Sequence, residues 1–424
     1  MPPPLDDLLA YLGSSPSPYH AVANAEARLA AAGFTPLDER ASWSAASVSG
    51  RRYVTRGGAL IAWVAGDPAP AERGLRIIGA HTDSPNLRVK PHPDTSSAGW
   101  RQLGVEIYGG ALANSWLDRD LGLSGRVLLR GGETRLVRVD RPLARVAQLA
   151  IHLDREVNEK GLVLDKQIHL APIIGLGEAD PGTFGRFLAG LAECEAEEIA
   201  SWDVMLHDLT PPALLGLDEE LLAAARIDNL FSSWAAVTAL VMAASSHAPS
   251  IPMIALFDHE EVGSASTSGA AGPLLETVIE RVLHGLGLGT DDRARALAVS
   301  SCLSSDMAHA VHPNYADRHE PQHRPLPNKG PVLKINVNQR YATDALSAEI
   351  FVDACARAEV PMQTFVSRNS QPCGSTIGPI TATRLGITTI DVGCAMLSMH
   401  SARELCGAHD AELFVRALSA YYAR

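Results

Sequence analysis

The run "FDHEEVGSAS" at residues 257–266 sets four ionisable side chains, Asp258, His259, Glu260 and Glu261, directly after the apolar stretch "IPMIALF". A carboxylate cluster alone is most often a solvated loop. This one follows a predicted buried strand and precedes Gly263, Ser264, Ala265 and Ser266, small residues that let another group come close. The strand end of an α/β sheet is where chemistry tends to sit. Further His and Asp residues stand at predicted strand ends or helix starts: His81, Asp83, Asp228, Asp306 and His400. No cysteine belongs to the set. Carboxylates mixed with imidazole suit zinc, cobalt or manganese in a catalytic site with a position left open for water, whereas structural zinc more often recruits thiolate.

Each residue also has a plainer reading. His81 alone is more often a hydrogen-bonded core histidine, and Asp83 its satisfied partner. In "HTD", however, positions two apart on a strand share a side, so Asp83 can accept the free imidazole N–H and fix the metal-binding tautomer. Asp228 precedes an apolar helical run and by itself would be an N-cap. Asp306 and His400 carry weight only jointly with the others. Adjacent residues on an extended strand end point to opposite sides, so one of Glu260 and Glu261 can bind metal while the other faces substrate. Metal-assisted hydrolysis needs that division: a metal-bound hydroxide, and an unligated carboxylate to carry the proton. Asp228, Glu261 and Asp306 as ligands leave two divalent ions one charge short of neutral, which a bridging hydroxide completes. Two metals about 3.5–4 Å apart, bridged by one carboxylate, are a known hydrolytic arrangement.

The elements that must hold these groups read as α/β. "AVANAEARLAAAGF" has helical periodicity and a stop at Gly33. "LIAWVAG" and "LRIIGAHTDS" predict buried strands, and "RVLLRGGETRLVRV" predicts an antiparallel hairpin around Gly131 and Gly132. From Asp228 onward helix and strand alternate: "DNLFSSWAAVTALVMAA", "IPMIALF", a helix before residue 290, "ALAVSSCLSSD", "MQTFVS", the segment from Ser375 to Leu385, "TTIDVG" and "DAELFVRALSAYYA". "HEPQHRPLPNKGP" predicts an irregular loop. One α/β domain is expected from residues 1–91 and 227–424, interrupted by a β-rich insertion over 92–226.

The chain has 424 residues, 46% of them hydrophobic, which is too long for a minimal domain and too apolar for a disordered chain. Its net charge of -12 supplies no basic stripe for nucleic acid, and an acidic ligand would need local cations at its own site. The six cysteines show neither C-x-x-C spacing nor a disulfide framework, which fits a reducing cytoplasm. The N-terminal "MPPPLDDLLAYLGSSPSPYH" lacks the basic and apolar regions of a signal peptide, and no run of about 18 apolar residues predicts a membrane span. A soluble, cytoplasmic protein is expected.

Several stretches carry a more specific likeness: "SPSPYHAV", "GAHTDSPNLRVKP", "LAIHLDREVNEKG", "RIDNL", "DHEEVGS", "SSDMAHAVHPNY", "GPVLKINVNQRYA", "PCGSTIGPI" and "MHSARE". Through them the sequence resembles, nearly end to end, the aspartyl aminopeptidase family of dinuclear zinc exopeptidases. The resemblance implies a zinc-peptidase domain with a central mixed β-sheet flanked by helices, plus an inserted β-rich dimerisation or lid domain. It implies two zinc ions per subunit, for which cobalt or manganese can substitute. His81 and Asp306 would hold the first, Glu261 and His400 the second, and Asp228 would bridge them. Glu260 would be the general base and then the acid, with Asp83 supporting catalysis. Substrate contacts are implied at His152, His309, Lys334 and Tyr341, with Glu260 and Asp306 also facing the peptide, and Lys334 pairing an acidic first side chain. As a residue on an apolar strand, Lys334 would more commonly be an amphipathic lysine reaching solvent. A tetrahedral dodecamer is implied, in which an adjacent subunit donates His152. The activity implied is removal of N-terminal Asp or Glu from peptides. Neutral or broad specificity is the alternative, since vacuolar relatives prefer neutral residues, and a non-catalytic assembly or cargo-binding relative is the third reading.

Overall fold

The computed structural model describes residues 4–66, 70–246 and 248–424. Its largest sheet has nine strands: β1 (Thr35–Pro36), β2 (Gly50–Arg56), β3 (Ala59–Ala65), β4 (Leu75–His81), β5 (Ile251–Phe257), β6 (Ser301–Ser305), β7 (Val332–Ile335), β8 (Gln363–Val366) and β9 (Thr388–Gly393). They lie side by side in the order β1-β2-β3-β5-β4-β6-β9-β7-β8. β4, β5, β6 and β9 run parallel, whereas β3 and β7 are antiparallel to their neighbours β5 and β9, so the sheet is mixed. All seven side chains of "IPMIALF" are buried, as expected of a strand covered on both faces. The parallel arrangement brings His81, Asp258 and Asp306 to one edge, each at or just past the end of its strand.

Helices cover both faces. Pro18–Ala31 starts at Ser17, whose hydroxyl accepts the His20 N–H, and has Pro18 at its first turn, where the missing N–H costs nothing. Ile227–Ala244 is long and apolar enough to cross a membrane, yet 78% of it is buried in the protein, where it packs on β4 and β5. Trp234 on this helix is fully buried, stacks edge-on to Phe231 at 6.2 Å and donates its indole N–H to Asp7 at 2.7 Å. Trp234→Ala is expected to cost about 3–5 kcal/mol, through lost contacts, the cavity left behind and an unpaired Asp7. Urea unfolding followed by circular dichroism measures it, and a loss under about 1 kcal/mol would contradict this account of the core.

A second sheet of six strands holds Asn86–Ser97, Trp100–Tyr108, Leu121–Leu129, Thr134–Ala144, Ile173–Leu176 and Ile199–Asp208. It encloses its own core, including Leu103, Leu121, Leu123, Phe184 and Leu206, beneath the helix Thr183–Ala192. Leu121–Leu129 and Thr134–Ala144 form the expected hairpin. A third sheet joins Ala213–Leu215 and Leu221–Ala224 to Glu404–Gly407, Ala395–Leu397 and Ala308–His309, so strands from the middle and the end of the chain meet.

Two sequence expectations change. In "ALAVSSCLSSD" the first residues close the helix Thr290–Ala298, and the strand begins only at Ser301. Glu260 and Glu261 are not on extended chain: His259 turns into the left-handed region at φ 63° and Glu260–Val262 form a 3₁₀ turn. Their side chains diverge because successive residues of such a turn are about 120° apart, not because a strand alternates.

Candidate metal centre

His81 ends β4 with its ring almost wholly buried. Its Nδ1 lies 3.0 Å from the backbone oxygen of Asp83 and 3.4 Å from that residue's carboxylate. A carbonyl can only accept, so Nδ1 carries the hydrogen and Nε2 is left with a free lone pair. That Nε2 faces Asp228 Oδ1 at 3.5 Å. Asp83 thus orients the ring, but through its main-chain oxygen and from beyond the strand end, not through its carboxylate on a shared strand side as the sequence suggests. The carboxylate instead accepts the N–H groups of Glu260 and Glu261, both at 3.1 Å, and the Tyr108 hydroxyl at 2.7 Å.

Asp228 sits in the first turn of Ile227–Ala244 with non-helical φ and ψ, so the N-cap reading fails: its side chain is not spent on the helix. Its Oδ2 lies 3.6 Å from His400 Nε2, and the same nitrogen is 3.3 Å from Glu261 Oε2. The carbonyl oxygen of Gly110 stands 3.2 Å from His400 Nδ1, which by the same argument puts the hydrogen on Nδ1 and turns Nε2 toward the carboxylates. His81, Asp228 and Glu261 each offer a ligand atom, all within 4.8 Å of one another. Asp228 Oδ1 and Glu261 Oε1 are buried without a hydrogen-bond partner among the described residues.

Asp306, one residue past β6, is also buried, and Gly393 makes room for its main chain, since a Cβ there would lie 1.9 Å from the Asp306 oxygen. Burial pushes its carboxyl up to about 8 against the opposing charge of Lys334, and Asp228 adds to the rise. Burial likewise raises Glu260 and Glu261, the latter well above the usual carboxylate range with Asp228 as the next cause. Asp228 goes the other way: burial opposes ionisation, but the two imidazoles that face it, His400 and His81, hold it low. For His81, burial favours the neutral ring and is outweighed by Asp228, Asp83 and Glu260. The cluster has more buried negative charge than its one nearby lysine can balance, and such charge persists only when paired or bound to a cation. Imidazole nitrogens with free lone pairs, converging carboxylates and orphaned oxygens fit one or more divalent ions of the zinc type.

Lys334, on β7, is 1% exposed, which overturns the solvent-reaching alternative. Its ammonium donates to the Met307 oxygen at 3.1 Å and lies 5.1 Å from the centre of the Tyr341 ring, itself buried. His309 is exposed on its short strand, with its ring 5.8 Å from Phe365, which also packs against Tyr341. His152 lies elsewhere, exposed on a turn of the second sheet's long loop.

Glu404 escaped the sequence reading although it stands within "MHSARE". Its two carboxylate oxygens accept the backbone N–H groups of Asp228 at 3.0 Å and His400 at 2.7 Å, tying two candidate ligands together from behind. Burial, then the charge of Asp228, lifts its carboxyl to about 8. Ser233 adds a bond to the His81 oxygen at 2.7 Å.

Residues 11–422 match the family model described as "Aminopeptidase I zinc metalloprotease (M18)". The chain is 58% identical over 419 residues to the probable M18 family aminopeptidase 2 of Streptomyces coelicolor, covering 98% of this chain and 96% of that one. It is 47% identical to the protein of the same name from Mycobacterium leprae, over 100% of this chain and 99% of that one. Among solved structures, Ape4 in its complex with Nbr1 superposes with a TM-score of 0.95 at 36% identity, covering 99% of this chain and 85% of that one. The S. cerevisiae mApe1 dodecamer gives 0.86 at 29% identity, covering 99% of this chain and 96% of that one.

Proposed function

We propose, from the premise that the chain belongs to the aminopeptidase I zinc metalloprotease (M18) family, that this zinc aminopeptidase removes acidic residues, Asp or Glu, from peptide N-termini. The observation that carries the acidic preference is Lys334: a buried ammonium beside the candidate metal centre, bonded to one main-chain oxygen and capped by Tyr341. An acidic first side chain would accept from the ammonium N–H groups that the Met307 oxygen does not take, and a neutral one would offer them no acceptor.

His81, Asp228 and Asp306 would hold one zinc ion, and Asp228, Glu261 and His400 a second. Bound zinc supplies Lewis acidity, polarising the scissile carbonyl and making water a nucleophile near neutral pH. The chain's own groups do the rest. Glu260 takes the proton of the attacking water and returns it to the departing amine nitrogen, a task that suits a carboxyl whose pKa burial has raised. Asp83 holds the turn that carries Glu260 and Glu261 by accepting both of their N–H groups. Tyr341 offers a donor for the developing oxyanion, and His309 a contact for the peptide.

Assembly completes the reading. The loop that carries His152 also exposes Leu149, Leu153 and Val163, the last 85% exposed, and such apolar surface favours burial against another copy. A dodecamer of tetrahedral symmetry in which His152 reaches a neighbour's site fits that surface and the assembly named for the S. cerevisiae relative.

The test is a set of initial rates on matched peptides beginning with Asp, Glu, Leu or Ala, for the parent and Lys334→Met. Parent protein is expected to favour Asp and Glu. Lys334→Met is expected to lose about 10²-fold in kcat/KM on those two substrates, the scale of an unpaired buried charge, while Leu and Ala change little. Uniform losses across all four would reject the acidic pocket and leave an aminopeptidase of neutral or broad specificity.

A further inference from the structure

The segment Tyr108–Leu112 leaves the last strand of the second sheet's central hairpin and passes directly over the metal-centre residues. The Tyr108 hydroxyl donates to Asp83 Oδ2 at 2.7 Å. Gly109, at φ 70°, lies so close to Glu261 that a Cβ there would stand 3.0 Å from that residue's own Cβ. The Gly110 oxygen takes the His400 Nδ1 hydrogen, and the Leu112 N–H donates to the His400 oxygen at 3.0 Å. Of these four contacts, three reach two of the residues assigned above to metal binding, Glu261 and His400, and one reaches Asp83, which orients His81. Behind the segment, the Arg88 guanidinium lies 4.4 Å from the Tyr108 ring centre, within cation–π range. Two of its nitrogens are buried without hydrogen-bond partners among the described residues, so the stack is a principal contact for that charge.

We infer that Tyr108 is a positioning residue for the metal centre, and that the second sheet, through Tyr108–Leu112, braces Asp83 and sets the tautomer and placement of His400 within one subunit. The physical logic is that of groups standing behind ligands. Asp83 has only so many lone pairs: it accepts two N–H groups from the Glu260–Glu261 turn and the Tyr108 hydroxyl, and its main-chain oxygen accepts His81 Nδ1. Removing the hydroxyl releases one side of the carboxylate and lets both the turn and the imidazole relax. Removal of such a supporting bond typically weakens metal binding by about 10–100-fold. This role is separate from the donation of His152 between subunits and needs no neighbour. It rests on the assignment of His81, Glu261 and His400 as metal ligands.

Tyr108→Phe keeps the ring, and with it the Arg88 stack, and deletes only the hydroxyl. Three proteins, parent, Tyr108→Phe and His81→Ala, would be stripped of metal and titrated with zinc against a chromophoric chelator. Visible spectra of the cobalt-loaded forms and melting of the metal-free forms complete the set. The expected result is zinc binding about 10–100-fold weaker in Tyr108→Phe, an altered cobalt spectrum, and a metal-free melting temperature equal to the parent's. Parent-like zinc affinity in Tyr108→Phe, with His81→Ala deficient, overturns the inference while sparing the metal assignment. Parent-like zinc affinity in His81→Ala overturns the assignment itself, and the inference with it. A fall in metal-free melting temperature without any change in zinc affinity reduces Tyr108 to packing and also overturns it.

Discussion

Glu260→Gln is expected to lower kcat by about 10²–10⁴-fold while zinc content and melting temperature stay at parent values. The amide keeps the size and the hydrogen-bonding shape of the side chain but cannot accept a proton and return it. The turn that carries the residue is held through its main chain, by the Glu260 N–H on Asp83, so the substitution leaves that support intact. The substitution leaves all five residues assigned to the metal unchanged, so metal retention is expected. Steady-state kinetics on an Asp-initiated peptide, beside elemental analysis of the same preparation, decides the matter. Near-parent turnover would remove Glu260 from proton transfer.

Stripping the metal is expected to take hydrolysis to background and to make stability depend steeply on pH. Activity should return with zinc, cobalt or manganese. Without a cation, burial holds Asp306 and Glu404 up to about 8 each. A carboxyl raised in the folded chain keeps a proton that the unfolded chain, near 3.8 for Asp, has already lost. Folding then takes up protons across the interval from about 4 to 8, so stability is greatest below it and falls as pH rises through it. The metal-free protein should therefore melt lower at pH 8 than at pH 6, and zinc should raise the melting temperature more at pH 8. Scanning calorimetry at the two values measures both, and a metal-free form that melts higher at pH 8 would contradict the picture of an uncompensated carboxylate cluster.

Much of the scaffold is legible in the sequence, for a definite reason. Runs such as "LRIIGAH", "IPMIALF" and "SCLSSD" are largely free of charge and stop at ionisable residues, the mark of parallel strands whose ends carry chemistry. His81, Glu261 and Asp306 stand out on that ground. Their supports do not. Glu404 reaches an N–H 176 positions away, and Tyr108 reaches a carboxylate from another sheet. Neither contact has a period or a spacing that could announce it, because each pairs a side chain with a partner brought near only by tertiary folding. The Glu260–Glu261 turn shows the opposite case. Divergent side chains are a sound expectation, but the left-handed His259 produces them by a route that propensity does not suggest.

The third sheet ties Leu221–Ala224 to Glu404–Gly407, and the hairpin that includes the latter strand presents His400. During synthesis, a nascent chain still short of residue 400 has His81, Asp228, Glu261 and Asp306 but not the strand that closes the cluster or the glutamate that braces it. On the proposed assignment the cluster cannot close until the strand that carries Glu404 has been made and has paired with Leu221–Ala224. A chain cut short before residue 400 would then lack both that histidine and the glutamate behind it.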